Sequence, residues 1–336
     1  MSARFRALLI ALRVEKEKHD ARNAAVLPMP GAAPVGGRPM IALAAHGFEA
    51  MIGPACGAVV TQLRWRAPSG AVHDLLFSPA GLNPQTAQPN RFGLWPMVPF
   101  ANRAFGGIVD DGQRRIQLPL NDPATGSAIH GFGWQSPWQV VAQGRDSARL
   151  RHERAADAAA PYAYAATLDI GLQAGGARLL LAVTNTGDEA LPFGIGFHPW
   201  LPRAPDTILT IRARQALALG PGYRATGVVD LPGGGRFGAG ASLPVGEEVA
   251  QSLIDWTGEA LFTSRASGLS IVIAADHSLR HPVLWSPPGA DFVCFEPQSH
   301  GIGAPSEAAA RAVTPLASLA PGEALSGWMT IGATEA

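Results

Sequence analysis

Residues Val59 to Arg66 read Val-Val-Thr-Gln-Leu-Arg-Trp-Arg, which places Val59, Thr61, Leu63 and Trp65 on one face of an extended chain and Gln62, Arg64 and Arg66 on the other. A segment with that period is a half-buried antiparallel strand. Similar runs recur over Trp138 to Ala142, Ser147 to Arg151, Ala166 to Leu172, Arg178 to Val183, Thr207 to Arg212, Leu269 to Ala274, Phe292 to Glu296 and Ser326 to Ile331. Gly175-Gly176, between two of them, reads as a hairpin turn. Strands do not alternate with helices and no repeat of fixed period is present. Many short strands separated by Gly, Pro, Asn and Asp turns predict an all-β fold, a large antiparallel β-sandwich or barrel.

That pattern begins at Met40. Before it, residues 1 to about 22 have helical spacing at Phe5, Leu8, Leu9 and Leu12 and end in charges, and residues 24 to 39 have the Pro, Gly and Ala content of a linker. The expected organisation is an N-terminal extension over 1–39 and a single β domain over 40–336. The apolar run Ala7 to Leu12 is too short to span a bilayer, and acidic residues with no small-residue cleavage site after it argue against a secretory signal.

Composition narrows the partners. Lys plus Arg number 26 and Asp plus Glu 26, with no basic stripe interleaved with aromatics, so a nucleic-acid partner is not expected. Cys56 and Cys294 match no metal or redox spacing and read as buried thiols of a reducing, cytoplasmic compartment. A chain this size needs no partner to bury its core, and a monomer or a homodimer is equally compatible with it.

Four stretches carry residues suited to chemistry. In Phe193-Gly-Ile-Gly-Phe-His-Pro-Trp200, strand alternation sets Gly194, Gly196 and His198 on one face, and Pro199 ends the ladder so that His198 stands at a sheet rim. It is either a ligand-facing histidine on a surface cleared by glycines or a histidine closing a strand end. Gly93 to Arg103 is apolar and Pro-rich, which puts Asn102 and Arg103 where loop backbone meets a cavity; the guanidinium binds a ligand or pins the loop to the domain. His130 precedes Gly131 and Gly133, with Trp134 and Trp138 nearby as a sugar platform or as core. In Asp291-Phe-Val-Cys-Phe-Glu-Pro297, Glu296 shares a face with Phe292 and Cys294. That makes it a rim carboxylate or one in an apolar cleft, where burial would raise its pKa toward a general base's range.

Other motifs fail on context. Gly233-x-Gly235-x-x-Gly238 spells a dinucleotide fingerprint, but Pro232 precedes it and no helix follows. His277 and His281 have metal-helix spacing, yet Pro282 makes the segment a loop. Neither Gly-x-Ser-x-Gly nor a phosphate-binding Walker sequence occurs.

Taken together, Pro96-Met97-x-Pro99-Phe100-Ala101-Asn102-Arg103, His130-Gly131, Phe197-His198-Pro199-Trp200 and Phe295-Glu296-Pro297 resemble, in order and spacing, the aldose 1-epimerase family, the mutarotases related to galactose mutarotase. The resemblance runs from about Met40 to the C-terminus and implies an antiparallel β-sandwich of the supersandwich type. It also implies interconversion of the α and β anomers of an aldose, with Glu296 as general base and His198 as general acid. Arg103, His130 and Asn102 would hold the sugar, and an aspartate, Asp230 first and Asp255 second, would bind its hydroxyls. No cofactor or metal is implied. The chain departs from the family in having Ala104 where Ile is frequent and Trp200-Leu201-Pro202 where Tyr-Phe-Asn is frequent, which leaves the sugar open. The rival reading is a non-catalytic carbohydrate-binding or sugar-sensing protein on the same fold.

Overall fold

A computed structural model describes residues 40–79 and 89–336, so the helix-like extension and linker expected over 1–39 lie outside the described residues. The main sheet has thirteen strands, every pairing antiparallel. From one edge it runs Gln139–Gln143, Ser147–Arg154, Tyr164–Gln173, Gly176–Asn185, Ala324–Glu335, Leu269–Ala275, Val249–Ser264, Val283–Ser286, Phe292–Glu296 and Trp200–Pro202. Ile208–Leu219 joins on Val249–Ser264 and carries Ala225–Asp230 and Ala241–Ser242. A four-stranded sheet, Ile41–Ala45, Phe48–Gly53, Val59–Arg66 and Val72–Asp74, covers part of one face. Its Ile41, Leu43, Phe48 and Leu63 share a single core with Leu150, Leu168 and Leu181 of the main sheet.

The sequence period is visible in the burial. Tyr164–Gln173 alternates buried and half-buried along nearly its whole length, and Gln173 pairs Gly176 across the tight turn expected at the glycines. Gly176, with φ +135°, lies against the neighbouring strand so closely that a Cβ would meet the Ile331 carbonyl oxygen at 2.2 Å. Helix is confined to Ala308–Arg311 and a few 3₁₀ turns among the described residues. None of these helices is long and apolar enough to cross a membrane.

The sixteen-residue strand Val249–Ser264 changes partner along its length, and this prepares the site. Its first half pairs Val283–Ser286, and its second half pairs Leu269–Ala275. Near the handover the register to Ile208–Leu219 shifts and Asp255 takes a left-handed φ of 53°. The branch so created carries Phe292–Glu296 and Trp200–Pro202 away from the rest of the sheet. Phe295, edge-on to both Trp256 and Phe262 at 5.2 and 5.7 Å, fastens its other face to the core.

Candidate active site

Three chain segments interlock around the end of that branch. Pro96–Met97 pairs with Gly196–Phe197, the His198 N–H donates to the Trp95 carbonyl (3.0 Å), and the Trp200 N–H donates to Gly93 (2.8 Å). Gly194 to His198 is therefore not one strand: Leu191–Phe193 pairs elsewhere, and Pro199 is the point where the chain leaves the small ladder and joins the main sheet. His198 sits at that junction, 7 % exposed.

The two glycines before it clear space for protein and not for a ligand. A Cβ on Gly194 would lie 2.3 Å from Cδ2 of His300, and one on Gly196 would lie 2.7 Å from Met97 and 2.8 Å from Gln298. His300 Nε2 accepts the Ala101 N–H (3.1 Å), while its Nδ1 faces the Gly301 carbonyl at 3.1 Å, so the ring is a neutral Nδ1–H imidazole. Burial holds its pKa down at about 4. This buried ring pins the backbone just before Asn102 and Arg103.

Asn102 and His130 both have left-handed backbones, with φ 51° and 60°. They are locked together: the His130 N–H donates to the Asn102 carbonyl (2.9 Å), and the Asn102 N–H donates to His130 Nδ1 (3.1 Å). His130 thus carries its proton on Nε2, and burial, aided by His198 and Arg103, keeps its pKa well below the ordinary value. Gly131 follows at φ +67°, where a Cβ would strike the Val98 carbonyl at 2.3 Å; that carbonyl accepts from both Phe132 and Gly133. Asn102 serves mainly as scaffold, its side-chain oxygen accepting the Arg103 N–H at 3.0 Å. Trp138 is core, and Trp134 packs 5.5 Å from Trp95 with His130 edge-on, so neither forms an open platform.

His198 Nε2 lies 3.3 Å from Glu296 Oε1, and Glu296 is 3 % exposed. Trp95 stacks on the His198 ring at 4.3 Å, Trp200 lies nearly parallel beyond its centre at 5.8 Å, and His130 stands edge-on at 5.2 Å. Burial raises the Glu296 pKa to about 8 against the opposing pull of Arg103, and burial lowers that of His198 to about 3. The pair consequently holds one proton across the neutral range, and in the free protein that proton rests on the carboxyl. Glu296 Oε2, His198 Nδ1, Arg103 Nε, Trp95 Nε1 and Trp200 Nε1 are all buried without a hydrogen-bond partner. Five of the nine such atoms among the described residues are gathered around His198 and Glu296, and that concentration marks a surface built to be completed by a polar ligand.

The structure does not bring the two candidate aspartates to this place. Asp230 is exposed, accepts from Gln215 Nε2 at 2.8 Å, and lies four strand spacings from Phe292–Glu296, about 19 Å at the usual sheet repeat. Asp255 is 3.0 Å from Arg214, and both aspartates line an open hollow of about 430 Å³ with Arg212 and Arg214. A larger hollow of about 530 Å³ crosses Gln143, Arg149 and Asp169 on the far part of the sheet and contains none of the residues above. Of the thiols, Cys294 is fully buried and Cys56 only half so.

Sequence reasoning passed over His300, although it follows Glu296-Pro297 closely enough to have been noticed.

Comparison with known proteins identifies the family and the fold. The family profile described as aldose 1-epimerase matches residues 39–332, and the chain belongs to that family. It is 30 % identical over 245 residues to the uncharacterized protein YphB of Escherichia coli (strain K12), a match covering 70 % of this chain and 82 % of that protein. A crystal structure from Escherichia coli K12, provisionally named an aldose 1-epimerase, superimposes with a TM-score of 0.77 at 26 % identity, covering 89 % of this chain and all of that one. A galactose mutarotase-like protein of Clostridium acetobutylicum gives a TM-score of 0.73 at 20 % identity over 88 % of this chain and 95 % of its own, a likeness of fold. The architecture is the galactose mutarotase-like antiparallel β fold.

Proposed function

We propose that the protein interconverts the α and β anomers of an aldose, with Glu296 and His198 moving the protons. The observation that carries this is the buried His198–Glu296 pair at 3.3 Å, set among polar atoms that lack partners. In the closed sugar, Glu296 as carboxylate takes the proton of the anomeric hydroxyl while His198 as imidazolium protonates the ring oxygen. The C1–O5 bond breaks, its electron pair stays on O5, and an open-chain aldehyde results. Rotation about C1–C2 presents the other face of the carbonyl, and the two transfers run backward to close the opposite anomer.

After ring opening, Glu296 is neutral and protonated and His198 is neutral. That is the distribution burial favours in the free protein, so the apolar site stabilises the open-chain complex relative to the charged pair that faces the closed ring. The proton count is unchanged over the cycle, and no cofactor or metal enters the balance. His130, with Nε2–H free of its loop bond, and Arg103 supply donors to the sugar oxygens.

Polarimetry of freshly dissolved single anomers tests the reading directly. Acceleration by the wild type, reduced by roughly 10²–10⁴-fold in Glu296→Gln and in His198→Asn, is the expected result. The double variant should be little worse than the poorer single one, because the two groups act in one relay. Sugar binding without acceleration by the wild type would leave a carbohydrate-binding protein instead.

A further inference from the structure

Beyond the His198–Glu296 pair, five side chains form an arc of contacts that starts at His198 and ends at Arg103. From His198 the path passes to Trp200 at 5.8 Å and to Trp285, edge-on to Trp200 at 6.3 Å. Trp285 Nε1 donates to Glu248 Oε1 at 3.1 Å, and Tyr223 Oη donates to the same oxygen at 2.6 Å. The Arg103 guanidinium lies over the Tyr223 ring at 5.2 Å, and its charge is felt by both Glu296 and His130. The strand register agrees: Trp285 pairs Cys294, two residues from Glu296 and on the same face of the sheet. Glu248, just before Val249–Ser264, stands at the rim of that face, with Trp285 between it and Glu296.

One oxygen of Glu248 takes both bonds. The carboxylate is held still, and Oε2 is left without a partner among the described residues. Neither Tyr223 nor Trp285 needs a carboxylate for its own burial, because a neutral oxygen would accept the same two bonds. A carboxylate acceptor fixed beside an aromatic wall is suited to sugar hydroxyls, which donate to oxygen while their ring carbons pack on indole.

We infer that Glu248 is a specificity residue that receives the hydroxyls of the aldose at the end remote from its anomeric carbon, and that it selects uncharged sugars over those carrying phosphate or carboxylate there. This rests on the anomerase reading above for which end of the sugar faces Glu296. Charge decides the selection: a second anion against a fixed carboxylate in a partly buried site is repelled, whereas a hydroxyl is bound.

Glu248→Gln separates this role from a scaffolding one, since the amide oxygen still accepts from Tyr223 and Trp285 while the free oxygen becomes an NH₂ group. With glucose and galactose as probes, the variant should raise KM about 10- to 100-fold, the worth of a hydrogen bond to a charged group, with a much smaller change in kcat. The penalty should shrink for 4-deoxy or 6-deoxy analogues, and the discrimination of the wild type against glucose 6-phosphate should relax. The same ratios read by quenching of tryptophan fluorescence on sugar binding keep the test valid should the wild type prove not to accelerate mutarotation. A folded Glu248→Gln protein with unchanged affinity for every sugar and unchanged discrimination against glucose 6-phosphate would overturn the assignment. So would a variant that weakened intact and deoxy sugars equally.

Discussion

Replacing Glu296 by Gln should stabilise the protein while disabling it, and the gain should depend on pH in a defined way. The carboxyl has an ordinary pKa of 4.5 and is raised by burial to about 8 in the folded chain. Because the folded value is raised, the favourable contribution of its proton is fully present below pH 4.5 and is lost as pH rises through about 8. At pH 7 the unfolded chain has released that proton and the folded chain has kept it. The interval from 4.5 to 7, at about 1.4 kcal/mol per unit, costs the wild type about 3 kcal/mol. Gln has nothing to ionise and avoids this cost, although its amide still buries groups with one oxygen partner missing, so a net gain of about 1–3 kcal/mol is expected at pH 7.

For a chain of this size the gain corresponds to roughly 2–8 °C in melting temperature. Thermal and urea unfolding of wild type and Glu296→Gln at several pH values between 4 and 9 would measure it. The difference should be near zero at pH 4, widen steadily from about 4.5 to about 8, and level off above. His198 contributes with the opposite sign, losing stability as pH falls from 6.5 toward about 3, but it does so in both proteins and largely cancels. A variant less stable than wild type at neutral pH, or a difference that does not change with pH, would refute the reasoning. It would mean that the carboxylate is ionised in the free site and held there by Arg103.

The pH dependence of kcat/KM should follow the single proton of the pair, flat from about pH 5 to 7.5 and falling above about 8 as that proton is lost; activity that keeps rising through pH 8 would contradict a shared proton. Gly194→Ala should destabilise the protein by about 1–3 kcal/mol and lower activity, since the new Cβ would press on a His300 ring held by Ala101 and Gly301; unaltered unfolding and turnover would show that the ring is free to move.

Most of the fold was legible because its cause is local. An alternating strand such as Val59–Arg66 announces itself in eight residues, and the turn between Tyr164–Gln173 and Gly176–Asn185 in a few more. The strand order was not legible, since the handover within Val249–Ser264 depends on pairings between residues far apart in sequence. At the site, the catalytic candidates lie in stretches of unusual composition, which is why His198 and Glu296 could be picked out and now stand 3.3 Å apart. Asp230 was chosen for its residue type and chain position alone, and position along the chain says nothing about which end of a strand faces a cleft. Tyr223 lies at the opposite end of the same hairpin from Asp230, and it is that end that reaches Arg103.

The glycines before His198 teach a different lesson. Sequence reading took them as room for a ligand, and the structure fills that room with His300, Met97 and Gln298. The space shapes the candidate site nonetheless, one step removed. A buried neutral imidazole fits beside Gly194 only because no Cβ is there, and once seated it fixes the Ala101 N–H and with it the strained backbone of Asn102. Asn102 in turn sets the tautomer of His130 by donating to Nδ1, so that Nε2 carries the proton. A glycine on one segment thus determines which atom of a histidine 64 positions earlier can donate a hydrogen bond, a dependence that only the packed structure makes visible.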